Sequence, residues 1–179
     1  EKAFSHNSAL CFVIIPEGVE TIGNYAFDYC DNLVVVDFPS TLKKIGDSAF
    51  EGCYLSSVGW KEGLEEIGAN AFSRYGVQTL SLPTTVKTIG EAAFKNGSIR
   101  KLYIGKNIES IGPEAFANNF LDRVELLTDR MIQIDETAFA GNTNDTYVYL
   151  RWNVPYDVYK DYEHLFLNIY EGYTYLYIQ

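Results

Sequence analysis

Cys11, Cys30 and Cys53, with His6 and His164, are the side chains of this sequence best suited to nucleophilic, redox or metal chemistry. A thiol nucleophile needs a neighbouring base or cation to hold it as thiolate. Zinc needs several nitrogen and sulfur ligands at short paired spacings. Neither histidine stands at such a spacing from the cysteines. Glu65-Glu66 is a carboxylate pair, but no neighbour in sequence would separate the two pKa values as acid–base catalysis requires. No Gly-rich phosphate loop occurs, and the acids do not follow the spacing of a calcium loop. Asn96-Gly97-Ser98 and Asn144-Asp145-Thr146 are glycosylation sequons, meaningful only in a eukaryotic secretory pathway. The expectation is a non-enzyme with no metal and no cofactor.

The glycines and cysteines obey a larger order. Ala-Phe recurs along the chain, ending at Phe4, Phe27, Phe50, Phe72, Phe94, Phe116 and Phe139, at steps of 23, 23, 22, 22, 22 and 23 residues. A period of this length marks a solenoid, whose units bury their apolar sides only by stacking on one another. One unit reads Leu33, Val36, Phe38, Pro39, Leu42, Ile45, Gly46, Ala49, Phe50, Cys53, and the others keep its phase. The sixth carries one extra residue between Leu126 and Met131.

Each slot has a physical task. Val36-x-Phe38 has the two-residue period of a strand with one face inward. Equivalent strands of successive units would run parallel and form one long sheet. Pro16, Pro39 and Pro83 lack an amide hydrogen and end that ladder. The Ile-Gly pair asks for a tight change of direction, with Gly23, Gly46, Gly68, Gly90 and Gly112 at positive φ and Asp135 substituting in the sixth unit. Ala-Phe itself reads as a short helix or 3₁₀ turn with the Phe rings stacked in an aromatic spine. Cys30 and Cys53 share the slot three residues after Phe, where later units place Tyr75, Gly97, Asn119 and Asn142. So tolerant a slot indicates packing or turn hydrogen bonding, with buried free thiols. Parallel stacked side chains suit a disulfide poorly.

Length and charge add bounds. The chain has 179 residues, a size for one domain. Fourteen Lys and Arg against 24 acids give a net charge of −10. That balance excludes a nucleic-acid binder, which needs basic residues to displace phosphate counterions. No run is long enough to span a bilayer and none reads as a signal peptide. Glu1-Lys2-Ala3-Phe4 starts mid-repeat, as a trimmed piece of a longer chain would. The solenoid is expected over 1–146. A last strand and capping segment of the same domain follows over 147–179, with strands at Tyr147–Trp152 and Tyr173–Ile178 and a helix around Val158–Phe166. Nine of the 14 Tyr fall in that tail. A cap over the open end of the stack is the expected role, and an aromatic platform for sugar rings is the alternative.

The unit from Ile15 to Val36, Ile-Pro-x-x-Val-x-x-Ile-Gly-x-x-Ala-Phe-x-x-Cys-x-x-Leu-x-x-Val, resembles the BspA-like leucine-rich repeat family. The resemblance runs from Phe4 to Phe139, and Val154-Pro155 with Tyr159-Lys160 is similar to the family's usual ending. It implies an α/β repeat solenoid, a curved superhelix with a parallel sheet on the concave face and short helical or irregular segments on the convex face. It also implies a secreted or cell-surface protein, and adhesion to host proteins or other cells.

On such a sheet the side chains facing outward would be Phe12 and Ile14, Val35 and Asp37, Ser57 and Gly59, Thr79 and Ser81, Lys101 and Tyr103, Arg123 and Glu125. Seven coils at about 4.8 Å give roughly 30 Å of surface. Lys101, Tyr103, Arg123 and Glu125 combine an aromatic with both charges and are the candidate partner-binding set. Phe12 and Ile14 are apolar where water is expected, so a preceding coil or a partner would cover them. Three functions follow: a module binding protein partners, a passive spacer in a larger surface protein, and a carbohydrate-binding module using the C-terminal aromatics.

Overall fold

The computed structural model describes residues 1–128, 130 and 132–142. Each coil contributes two short strands. In chain order they are β1 (Phe12–Ile14) and β2 (Thr21–Ile22), β3 (Val35–Asp37) and β4 (Lys44–Ile45), β5 (Ser57–Gly59) and β6 (Glu66–Ile67). They continue with β7 (Thr79–Ser81) and β8 (Thr88–Ile89), β9 (Lys101–Ile104) and β10 (Ser110–Ile111), β11 (Arg123–Leu126) and β12 (Gln133–Ile134). All pairings are parallel and between equivalent strands of successive coils, for example Val13 opposite Val36 and Val36 opposite Val58.

The odd-numbered strands fall where the two-residue period placed them, but they do not make one sheet. β1-β3-β5 and β11-β9-β7 are two separate three-stranded sheets. The interruption has a local cause. Phe38 N–H donates across to Gly59 and Leu82 N–H to Tyr103, whereas Trp60 N–H folds back on Val58 of its own strand at 3.0 Å. The even-numbered strands form a continuous six-stranded sheet, β2 to β12. That second sheet was not expected: two-residue strands are too short to show a period.

The Ala-Phe segments are not helical, and no helix occurs among the described residues. From Phe4 to Phe116, the residues two before and two after each Phe sit at positive φ: Tyr25 and Tyr29 around Phe27, Asn70 and Arg74 around Phe72, Ala92 and Asn96 around Phe94. Alternating backbone handedness turns every second N–H toward the next coil. Tyr25, Phe27 and Tyr29 donate to Asp47, Ala49 and Glu51, and Asn70, Phe72 and Arg74 donate to Glu91, Ala93 and Lys95. A helix would keep those amides inside its own turns. Here they tie coil to coil, and the helical expectation for the convex side is corrected accordingly.

The glycines after Ile are corrected too. Positive-φ glycines are Gly18, Gly52, Gly63 and Gly141, a set that includes none of the five glycines expected to be so. Their reason is crowding. A Cβ on Gly90 would stand 2.7 Å from the backbone of Gly68 and Ala69 in the coil before it. At Gly112 the same distances open to 3.0 Å or more, and one coil on the slot holds Asp135. Asp135 does not have positive φ. Its carboxylate accepts from Thr137 Oγ1 and N–H at 2.6 and 2.9 Å.

The spine stands as expected. From Phe4 to Phe139 successive Phe rings lie 5.1–5.6 Å apart and within 13° of parallel. Phe50, Phe94 and Phe116 are fully buried, with Leu33, Ile45, Leu55, Ile99 and Leu121 around them. Proline acts as expected: Pro16, Pro39 and Pro83 each follow a strand and open a turn, their carbonyls accepting from Val19, Leu42 and Val86. The expected tail elements over 147–179, the sequon at Asn144, His164 and the Met131 slot lie outside the described residues.

Candidate functional site: the outer face of the odd-numbered strands

Alternation along each odd-numbered strand sends Val36, Leu80, Leu102 and Val124 into the core and the residues on either side of them outward. Register then arranges the outward side chains in two rows. One row is Phe12, Val35 and Ser57, resuming after the interruption as Thr79, Lys101 and Arg123. The other is Ile14, Asp37 and Gly59, then Ser81, Tyr103 and Glu125. Phe12 and Ile14 remain 67% and 68% exposed, and Val35 39%.

The four candidate residues meet on β9 and β11. Lys101 lies opposite Arg123, and Tyr103 opposite Glu125. The Arg123 guanidinium sits over the Tyr103 ring, 5.9 Å from its centroid, and donates to Glu125 Oε1. Glu125 is only 8% exposed. Burying a carboxylate is costly unless it is paired, so Arg123 has a structural duty as well as a position on the face. Lys101 is exposed and has no carboxylate partner among the described residues. On the neighbouring sheet Asp37 pairs with Lys61 at 3.3 Å and lies over Gly59, where a Cβ would stand 2.0 Å from its Oδ1.

The chemical candidates are elsewhere and are built in as structure. Cys30 and Cys53 are buried free thiols, and Cys11 is an exposed one. Cys30 Sγ donates to Phe4 O and Cys53 Sγ to Phe27 O, each at 3.0 Å, both carbonyls belonging to the preceding coil. Asn119 and Asn142 do the same to Phe94 O and Phe116 O, at 2.8 and 3.0 Å. Cys and Asn exchange in this slot because each donates to the preceding Phe carbonyl, although Gly97 shows that the donor is not required in every coil. Burial pushes the Cys53 thiol up to about 12, the opposite of what a nucleophile needs. Glu65 is bound to Lys87 at 2.6 Å, and that hydrogen bond and charge hold its carboxyl below the ordinary range. No cluster of three His, Cys, Asp or Glu side chains that could hold a metal occurs among the described residues.

Sequence reasoning missed two sets of polar residues. Glu17 accepts from Ser40 N–H and hydroxyl, and Glu62 from Thr84 and Thr85 one coil on. The turn edge carries exposed aromatics, with His6 stacked on Tyr29 at 5.3 Å and Lys2 over Tyr25. The recurrence of Glu one residue after the strand-ending slot, with Ser-Thr or Thr-Thr in the next coil, was the available signal for the first set.

Comparison with known proteins agrees with this geometry. The BspA type leucine rich repeat region matches in six copies, over residues 1–122 and 66–162. The chain is similar to a crystallised leucine-rich repeat protein from Bacteroides ovatus, with a TM-score of 0.71 and 25% identity. That likeness covers 86% of this chain and 43% of the other, so the chain spans less than half of that protein. It is also similar to the leucine-rich repeat protein of T. pallidum (TM-score 0.60, 23% identity), covering 92% of this chain and 86% of that one. No curated protein matches. With six in-phase coils, a stacked Phe spine and a family match over most of its length, the chain belongs to the BspA-type leucine-rich repeat family.

Proposed function

We propose that the chain is a non-catalytic module of a secreted or cell-surface protein that binds protein partners through the outer face of its odd-numbered strands. The observation that carries this reading is the face itself. Its side chains stand in fixed register on a rigid stack and run from exposed apolar groups at Phe12, Ile14 and Val35 to the charged and aromatic cluster at Lys101, Tyr103, Arg123 and Glu125. Apolar anchors beside aromatic and Arg side chains are the make-up of protein interfaces. Cys30, Cys53 and Glu65, by contrast, are committed to holding coils together. Among the described residues no helix is long and apolar enough to cross a membrane. The sugar-binding alternative depends on aromatics of 147–179, outside the described residues, and no observation favours it.

The test is direct binding of the immobilised chain to intact extracellular matrix proteins. Saturable binding is expected, falling at least tenfold in the Lys101→Ala/Tyr103→Ala double variant. A hot-spot pair contributes at least about 1.4 kcal/mol, the equivalent of that factor. Absence of binding, or binding that ignores the double variant, contradicts the reading and leaves the passive spacer.

A further inference from the structure

The two rows of the outer face differ in charge. The row ending in Tyr103 and Glu125 contains acids, and each is neutralised: Asp37 by Lys61, Glu125 by Arg123. The row Phe12, Val35, Ser57, Thr79, Lys101, Arg123 contains no acid at all, on a chain of net charge −10. It is apolar at one end, small and hydroxylic in the middle, and cationic at the other. Its last two members stand directly opposite each other across β9 and β11. The nearby Asp122 is held by Arg100 at 2.8 Å, and Lys101 has no carboxylate partner among the described residues. Arg123 is already paired with Glu125, so Lys101 is the charge at this end that an incoming anion would meet.

We propose that this row is a docking track for an extended peptide segment of a partner protein, with an acidic side chain against Lys101 and an apolar side chain against Val35 and Phe12. The inference rests on the partner-binding reading and adds the chemistry of the partner. Lys101 is three strand steps from Val35 and four from Phe12, about 15–20 Å at ~4.8 Å per step. An extended chain advances ~3.3 Å per residue, so the acid and the apolar residue are separated by about four to six positions. Ser57 and Thr79, both exposed, leave the path between them open and supply hydroxyls to a crossing backbone. They flank the interruption between β5 and β7, where the two strands do not pair.

The experiment pans a phage-displayed library of random twelve-residue peptides against the full chain and measures the enriched sequences as synthetic peptides. Enriched sequences should carry Asp or Glu four to six positions from Phe, Leu, Ile or Trp. Their affinity should fall at least tenfold in Lys101→Glu and in Val35→Ser. Lys106→Glu makes the same charge change at an exposed site off the track, and should alter affinity less than twofold. Each variant is first checked for an unchanged unfolding transition. Enriched peptides lacking the acid–apolar pair, equal losses in Lys101→Glu and Lys106→Glu, or no enrichment at all would each overturn the proposal. None of those results touches the partner-binding reading, which stands or falls on its own assay with intact folded proteins.

Discussion

A glycine can be required because the backbone needs an unusual φ or because nothing larger fits, and either requirement makes replacement by Ala destabilising. Gly90 belongs to the second kind: its φ is not positive, and backbone atoms of Gly68 and Ala69 lie 2.7 Å from where a Cβ would be. Replacing Gly by Ala at an unstrained, roomy site stabilises by about 0.4–1 kcal/mol. Crowding reverses this, so Gly90→Ala is expected to destabilise by about 1–3 kcal/mol in urea unfolding. A stabilised variant would contradict the crowding. Sequence alone could not separate the two, since it shows that a slot is Gly but not how near the next coil passes. The buried thiol and phenol give a pH signature. Burial pushes Cys53 from 9.0 and Tyr75 from 10.0, each to about 12. Groups with raised folded pKa contribute stability below their unfolded values and lose it as pH climbs to the folded ones. Unfolding free energy should therefore fall between pH 9 and 12, less steeply in Cys53→Ala. An unchanged slope in that variant would contradict the burial of the thiol.

At the scale of the element, the odd-numbered strands and the Phe turns carry different kinds of information. Val36-x-Phe38 announces a strand because inward and outward positions alternate, and that strand is found. The two-residue strands of the second sheet left no pattern to read, although their register, Ile22 to Ile45 to Ile67 to Ile89, is the Ile of every repeat. Around Phe the period was legible and the conformation was not. Lys2, Tyr25, Ser48, Ala92 and Glu114 hold positive φ although their residue types do not advertise it. Inter-coil hydrogen bonds, visible only once coils are stacked, enforce that geometry. The spine itself was fully legible. Phe94, 0% exposed between Phe72 and Phe116, should cost about 3–5 kcal/mol when changed to Ala. Phe4, 48% exposed at the end of the stack, should cost less than about 1 kcal/mol, in proportion to the smaller area it buries. Equal losses at the two positions would mean that the rings do not act as a stack.

Among the described residues the molecule is a one-dimensional assembly in which each strand touches only its equivalents in adjacent coils. The candidate face was legible in outline, because strand alternation named every outward residue. Its division into an acid-bearing and an acid-free row follows from residue types and register, whereas the neutralisation of Asp37 was not legible, since it depends on a partner in the adjacent coil. Lys61 reaches Asp37 from the following coil, and Arg100 reaches Asp122 in the next. A stack of near-equivalent units tolerates the loss of a whole unit far better than a break of phase within one. Deleting residues 73–94 joins Phe72 to Lys95 and keeps every later slot in phase, whereas deleting 73–83 puts all later coils half a turn out. The most direct test is chemical unfolding of these two deletions beside the parent. The stacked-coil structure predicts a cooperative, if weaker, transition for the first and no cooperative transition for the second. Two equally cooperative curves, or two equally featureless ones, would contradict it.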